Sequence, residues 1–504
     1  MYDSIQFVKT TSSGRTSLSR SARRRRDIIF LLRAAPTLLL LLLVAAPASG
    51  GSATWNLNPI SNNWLSATNW TPATVPSESA DTATFGVSNT TDIVFGNFLY
   101  SPEINGIVFN AGASPFTITL ISNESFPHIL IISGAGITNN SGITQNFVTG
   151  LSGVSVDMAV IQFKNSATAG SLTTFTNNGG QTFSSDNTGM TDFFDTSSAA
   201  TGTFTNNGSN ALFGDGGLTD FFDSATAASA TLVAKRGSNA GGTILFAGDS
   251  TGGTARVELL GNGSLDISSH NLPGVTVGSI EGSGVVHLGA NNLAVGTNNL
   301  STMFSGVLDG TGSLTKVGKG TLTLSGANSY TGGTTINGGK LVVNNRTDSG
   351  TGSGPVQVNA GRLGGRGTIA GAVTVGTGTG SKAFLSQGIN AVNHRPLAIQ
   401  STLTFNSDAT YRFGINSSTA RADKVIANGV TINSGAQFSF ADSHAAALPL
   451  GTVFTVIDNT VATPIAGTFS NLADGSTLVI GSNSCQADYE GGTGNDLTLT
   501  VIMP

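Results

Sequence analysis

Four aspartates carry the clearest pattern for chemistry in this 504-residue chain: Asp192, Asp195, Asp220 and Asp223. They sit at equivalent places in two copies of a degenerate repeat. If the copies stack as coils of parallel strands, equivalent carboxylates lie about 5 Å apart. Carboxylates that close can share a proton, bind calcium, or serve a polysaccharide-cleaving enzyme. The plainer reading is that each flanks a turn, where Asp is a routine choice. On that reading the four are solvated turn residues that recur because the repeat recurs.

The remaining candidates for chemistry are sparse. His128, His270, His287, His394 and His444 are scattered singly, with no H-x-x-x-H pair and no cysteine ligand beside them. That pattern argues against zinc. Serine is abundant, but no G-x-S-x-G elbow stands out. Cys485 is the lone cysteine, so it can form neither an intramolecular disulfide nor a cysteine-based metal site. Gly491, Gly492, Thr493, Gly494, Asn495 and Asp496 are similar to one calcium-binding nonapeptide unit. That motif works in tandem, and with a single copy a plain turn is the expectation. No catalytic, cofactor-binding or metal-binding residue is therefore assigned, and no cofactor is expected.

Composition limits what can position such groups. Glycine (67 residues) is far above its usual share, charged residues are only 10%, and mean hydropathy is +0.13. Surface polarity must come from Ser, Thr and Asn, which suits stacked β-coils better than helices. Residues 1–50 read as a signal region: Arg23 to Arg26 are a basic start, 38–44 an apolar core, and Ala46-Pro47-Ala48 a small-x-small cleavage site. The apolar run is too short to favour a stable membrane span. Beyond residue 50 the chain keeps 15 basic and 26 acidic side chains, net −11. No run of Lys and Arg follows Arg33, so nucleic acid is not an expected partner.

The elements read as short strands cut by turns. Three segments from Phe163, Phe193 and Phe221 repeat, and a fourth from Ile244 continues them with more divergence. Their spacing is that of one solenoid coil. The recurrent Phe is expected to stack inward, and the Asn-Asn-Gly after each strand to form a corner with Asn in the left-handed region. Residues 309–345, DGTGSLTKVGKGTLTLSGANSYTGGTTINGGKLVVNN, alternate strictly in Leu322-Thr323-Leu324, Thr334-Thr335-Ile336 and Lys340-Leu341-Val342-Val343. The only helix candidate lies at 443–448.

The 309–345 segment resembles the autotransporter-associated β-strand repeat, also called the passenger-associated transport repeat. The resemblance implies an all-β, right-handed parallel β-helix (β-solenoid), secreted or displayed at the surface of a Gram-negative bacterium. Residues 51–100, with Trp55, Trp64 and Trp70, resemble the opening segment of such proteins. They read as a cap on the first coil, with a sugar-stacking platform as the alternative. Residues 403–432 resemble the C-terminal portion of such passengers. No translocator barrel is legible after them.

The expected organisation is a signal region at 1–50, a cap at 51–100, degenerate coils at 101–308, the repeat at 309–345, and a passenger-like β region with a β-rich end at 346–504. The expected function is an exported, non-enzymatic structural or adhesin-like protein of the surface or extracellular matrix. Its partners would be extracellular polysaccharide or other surface proteins, together with a separate export machinery. The alternative is a secreted carbohydrate-active β-helix enzyme, a lyase or glycoside hydrolase.

Overall fold

The computed structural model describes residues 50–96, 101–121, 127–150, 158–181, 188–380, 382–387, 395–442, 444 and 446–504. All of them belong to the compact unit Ala48–Pro504. The signal region and His394 lie outside the described residues.

The described chain is a stack of parallel coils. From Glu103–Phe109 to Val307–Asp309 each coil lays one strand on a first sheet of twelve strands and one on a second sheet of sixteen. A third face begins as single bridges, Thr168 to Ser198 to Thr226 to Thr251. It widens into an eight-stranded sheet from Gly274–Val277. Alternation explains the strands: in Thr321–Leu324 and Lys340–Val343 every second residue is buried. The closing sheet of seven strands ends in an antiparallel meander of Thr477–Ile480, Asn483–Gly491 and Asp496–Met503.

Register aligns like with like. Phe163, Phe193, Phe221 and Phe246 are consecutive partners on the first sheet, and the length of chain between partners shortens along the series. In the neighbouring inward column Ile244, Leu265, Val286 and Leu308 follow one another at closer steps still. The Phe rings stack at 4.8, 4.9 and 4.8 Å with interplanar angles of 7°, 8° and 9°. A second column, Phe147, Phe175 and Phe204, stacks at 4.9 and 4.7 Å and meets the first edge-on.

The corner expectation changes. Asn177 and Asn206 do not adopt the left-handed region. They are buried and link the sheets through their side chains. Thr149 Oγ1 and Thr191 Oγ1 donate to Asn177 Oδ1 at 2.8 and 2.9 Å, and Asn177 Nδ2 donates to Asn206 Oδ1 at 2.9 Å and to Leu218 O at 2.7 Å. A buried amide must be bonded, and here the stacked neighbours supply the partners. The left-handed corners lie elsewhere, at Asn165, Asp195, Asp223 and Gly248, and again at Gly170, Ala200, Ala228 and Gly253.

The helix expected at 443–448 is absent from the described residues there, His444 and Ala446 to Leu448. Ser443 and Ala445 lie outside them. Ser417 Oγ, in the 3-10 turn Ser417–Thr419, accepts the Ala446 N–H, and Asn483 Oδ1, in the strand Asn483–Gly491, accepts the Leu448 N–H, so side chains of neighbouring segments take these donors.

At the start of the stack, Trp55, Trp64 and Trp70 are buried and pack edge-on at 5.0 and 4.9 Å. Their indole N–H groups donate to Thr90 O, Pro76 O and Trp64 O. Rings this enclosed cannot serve as a sugar platform.

Candidate functional site

The first sheet places Asp192 and Asp220 side by side, as register partners in Gly189–Phe193 and Leu218–Phe221. The inward neighbours are Thr191, Thr219, Phe193 and Phe221, so alternation sends both aspartates to the outer face. Both are nonetheless buried, at 5% and 0% exposure. This corrects the sequence expectation: these two are strand residues, not solvated turn residues. A linear reading could not separate them from Asp195 and Asp223, because one copied string carries both pairs.

Asp195 and Asp223 do sit at an exposed corner, with φ of 56° and 50°. Their carboxylates link coil to coil. The Asn165 N–H donates to Asp195 Oδ2 at 2.9 Å, and the Asp195 N–H donates to Asp223 Oδ2 at 3.1 Å. Asp tolerates the left-handed region and its carboxylate satisfies a backbone donor while staying in water. One oxygen of each corner carboxylate is thus occupied by the fold.

The outer column extends past the aspartates. In register it runs Gln162, Asp192, Asp220, Leu245, Asp266, His287 and Asp309. His287 Nδ1–H donates to Asp309 Oδ1 at 3.0 Å. Beside the column, Phe194 and Phe222 stack at 4.9 Å and are half-buried. Sequence reading missed the Asp266, His287 and Asp309 row and this aromatic pair. The available signal was the shorter coil period of this stretch, which only register makes visible.

Several other candidates are engaged in contacts of the fold. His128 is buried with Nδ1 against Ile121 O at 2.6 Å, and both His270 ring nitrogens contact carbonyl oxygens. Gly491 to Asp496 form a hairpin turn. There Asp496 Oδ1 accepts the Asn459 N–H at 2.9 Å, and Asn495 Nδ2 donates to Asn459 O at 2.8 Å. Cys485 is buried, and burial pushes its thiol up. Among the described residues no group of three or more His, Cys, Asp or Glu is placed to hold a metal ion. No helix of the described residues is long and apolar enough to cross a membrane.

Within the repeat, Lys316 faces inward between Val295 and Ile336. Its ammonium reaches Val317 O and Gly338 O at the corner. Desolvation lowers its pKa from 10.5 to about 8. Asn328 is a buried staple: its Oδ1 accepts the Leu308 N–H at 2.8 Å and its Nδ2 donates to Gly350 O at 2.6 Å. It joins the coils before and after its own.

Comparison with known proteins agrees with this architecture. The family described as Passenger-associated-transport-repeat matches residues 314–343. The "Adhesin BmaC autotransporter" of Brucella suis biovar 1 (strain 1330) is 39% identical over 109 residues. The match covers 20% of this chain and 3% of that protein, so the chain spans a small part of its relative's length. No solved structure matches. The chain is a parallel β-solenoid that carries a passenger-associated transport repeat and is secreted or held at the cell surface.

Proposed function

We propose that this protein is an exported, adhesin-like structural solenoid of a Gram-negative surface or its extracellular matrix, without enzymatic activity of its own. The carrying observation is that the transport repeat at 314–343 is one stretch of an uninterrupted stack. The similarity to an adhesin over 109 residues supports the same reading. So does the use of the Asp195 and Asp223 carboxylates to hold corners. In this proposal residues 1–50 direct export and are cleaved near Ala48, and residues 51–100 close the first coil. Residues 101–308 and 346–504 form the stack on either side of the repeat at 309–345, and a separate machinery carries the chain outward.

The test is surface exposure of the full chain in its native cell. Antibody labelling and protease shaving of intact cells should reach it, and N-terminal sequencing of the exported form should begin close to Gly50. A chain that retains Met1 and stays protected from protease in intact cells contradicts the proposal.

A further inference from the structure

Charge is sharply divided along this solenoid. Residues 316–424 hold 11 of the 15 Lys and Arg beyond residue 50, and only three acids, Asp348, Asp408 and Asp423. The rest of the chain beyond residue 50 holds four basic and 23 acidic residues. Asp408 is engaged by the fold, accepting the N–H groups of Thr377, Gly378 and Gly380 at 3.1, 2.7 and 3.0 Å. That hydrogen bonding holds its carboxyl below the usual range against the opposing effect of burial.

Register gathers part of this charge into a row. On the second sheet Thr321, Lys340, Arg362, Phe384 and Thr410 are consecutive partners. Arg412 lies two residues beyond Thr410, and so on the same face. The intervening residues Leu341, Leu363, Leu385, Tyr411 and Phe413 are buried, which turns this row outward. Lys340, Arg362 and Phe384 are half-buried, and Arg412 is exposed. None of the ion pairs among the described residues involves Lys340, Arg362 or Arg412. Like charges directly opposite on neighbouring strands repel. Desolvation and then Arg362 lower the pKa of Lys340, and desolvation and then Arg412 lower that of Arg362. The charges in this row oppose one another, so their mutual electrostatics does not stabilise the fold.

We infer that this face binds a linear acidic polysaccharide. The inference rests on the surface reading above and adds a ligand class and a site. The row runs along the stack axis at about 4.8 Å per coil, so Lys340 and Arg412 are about 14 Å apart along that axis, with Arg412 set two residues to one side of the row. A polymer with a carboxylate on each sugar meets such a line repeatedly. Phe384, within the line, presents an aromatic face to the apolar side of a sugar ring. Charge complementarity then supplies selectivity against neutral glycans.

The experiment uses the purified exported chain on immobilised polygalacturonate, with neutral dextran as control. We expect binding at 50 mM NaCl to polygalacturonate alone, weakened at least ten-fold at 500 mM NaCl by screening. The Lys340→Gln, Arg362→Gln, Arg412→Gln variant should weaken binding at least ten-fold with an unchanged or raised melting temperature. If that variant does not fold, Arg412→Glu, at an exposed position, should weaken binding at least three-fold. No binding by the folded chain, or equal binding by a folded variant, overturns the inference. Binding to duplex DNA or to phosphatidylglycerol vesicles without binding to polygalacturonate also overturns it. In each of those cases, surface labelling of intact cells would still decide the display reading on its own.

Discussion

The Phe-stacked coils around Phe163 to Phe246 and the transport-repeat coils around Leu308 to Val343 solve the same problem differently. The first set takes a long turn, in which hydrogen bonds from one coil to the next join groups 30 and 28 residues apart. Two columns of stacked rings fill its section. It then needs Asn177 and Asn206 to satisfy polar groups between the columns. The second set takes a shorter turn, in which equivalent bonds join groups 20 residues apart. Leu314, Leu322, Leu324, Ile336, Leu341 and Val343 fill it. Corners differ too. The wide coils place Asn165, Asp195, Asp223, Ala200 and Ala228 in the left-handed region, where the narrow coils use Gly310, Gly318, Gly333 and Gly339. Coil length thus sets side-chain size in the core, and the tighter coil leaves corners only glycine fits: a Cβ on Gly318 would meet Gly296 O at 2.0 Å.

The largest expected effect tests the cores. Phe193→Ala removes the middle ring of a stack and should cost about 4 kcal/mol, and Leu324→Ala about 3 kcal/mol. Stability in a solenoid is shared between neighbouring coils, so each loss should spread beyond its own turn. Urea denaturation gives both values. A cost for Leu324→Ala clearly above that for Phe193→Ala would break the contrast.

Next come the polar staples. Asn177→Ala strands the hydroxyls of Thr149 and Thr191 and the carbonyl of Leu218, and should cost about 3 kcal/mol. Asn328→Ser shortens a side chain that reaches two coils and should cost about 2 kcal/mol. Asn328 lies between strands, but it is buried, so even the small change to Ser is costly there. A loss below about 0.5 kcal/mol at either position, the size of an ordinary surface substitution, would remove the staple role.

Lys316 adds a pH signature to the narrow coils alone. Its folded pKa is about 8 against an ordinary 10.5, so between those values the unfolded chain binds more protons. Stability from this group should therefore rise as pH goes from 8 to 10.5 and be lost as pH falls back through that window. Lys316→Met should raise the melting temperature at neutral pH and flatten that rise. Parallel pH profiles for the two proteins would show that Lys316 is not the titrating group.

The smallest effect concerns corners. Ala200→Gly and Ala228→Gly relieve left-handed strain but loosen the unfolded chain, for a net gain of about 0.5 kcal/mol each. Calorimetric melts of the single variants should show small upward shifts. Losses at both positions would mean that the alanine methyls pack more than they strain.

Much of this was legible in the sequence, and the exceptions have physical reasons. Strict alternation and paired glycines located the strands around Leu322, Thr334 and Leu341, and the copied Phe located the wide stack. The Asn-Asn-Gly string marked a corner correctly but not its mechanism, since Asn both tolerates φ > 0 and bonds through its amide. Asp192 and Asp195 were merged because one string cannot say where a strand ends. The row Lys340, Arg362 and Arg412 was hidden because its members lie one or more whole coils apart in the chain. Only the coil period makes them neighbours.

The central claim is that the outward carboxylates of the wide coils belong to the fold and to surface display, not to glycan cleavage. The most direct measurement incubates the purified exported chain with a polysaccharide panel, acidic and neutral, and follows new reducing ends and unsaturated products. The account predicts no product from the native chain, with or without calcium. Reproducible cleavage that disappears in the folded Asp192→Asn, Asp220→Asn variant would contradict it and make the protein a carbohydrate-active enzyme.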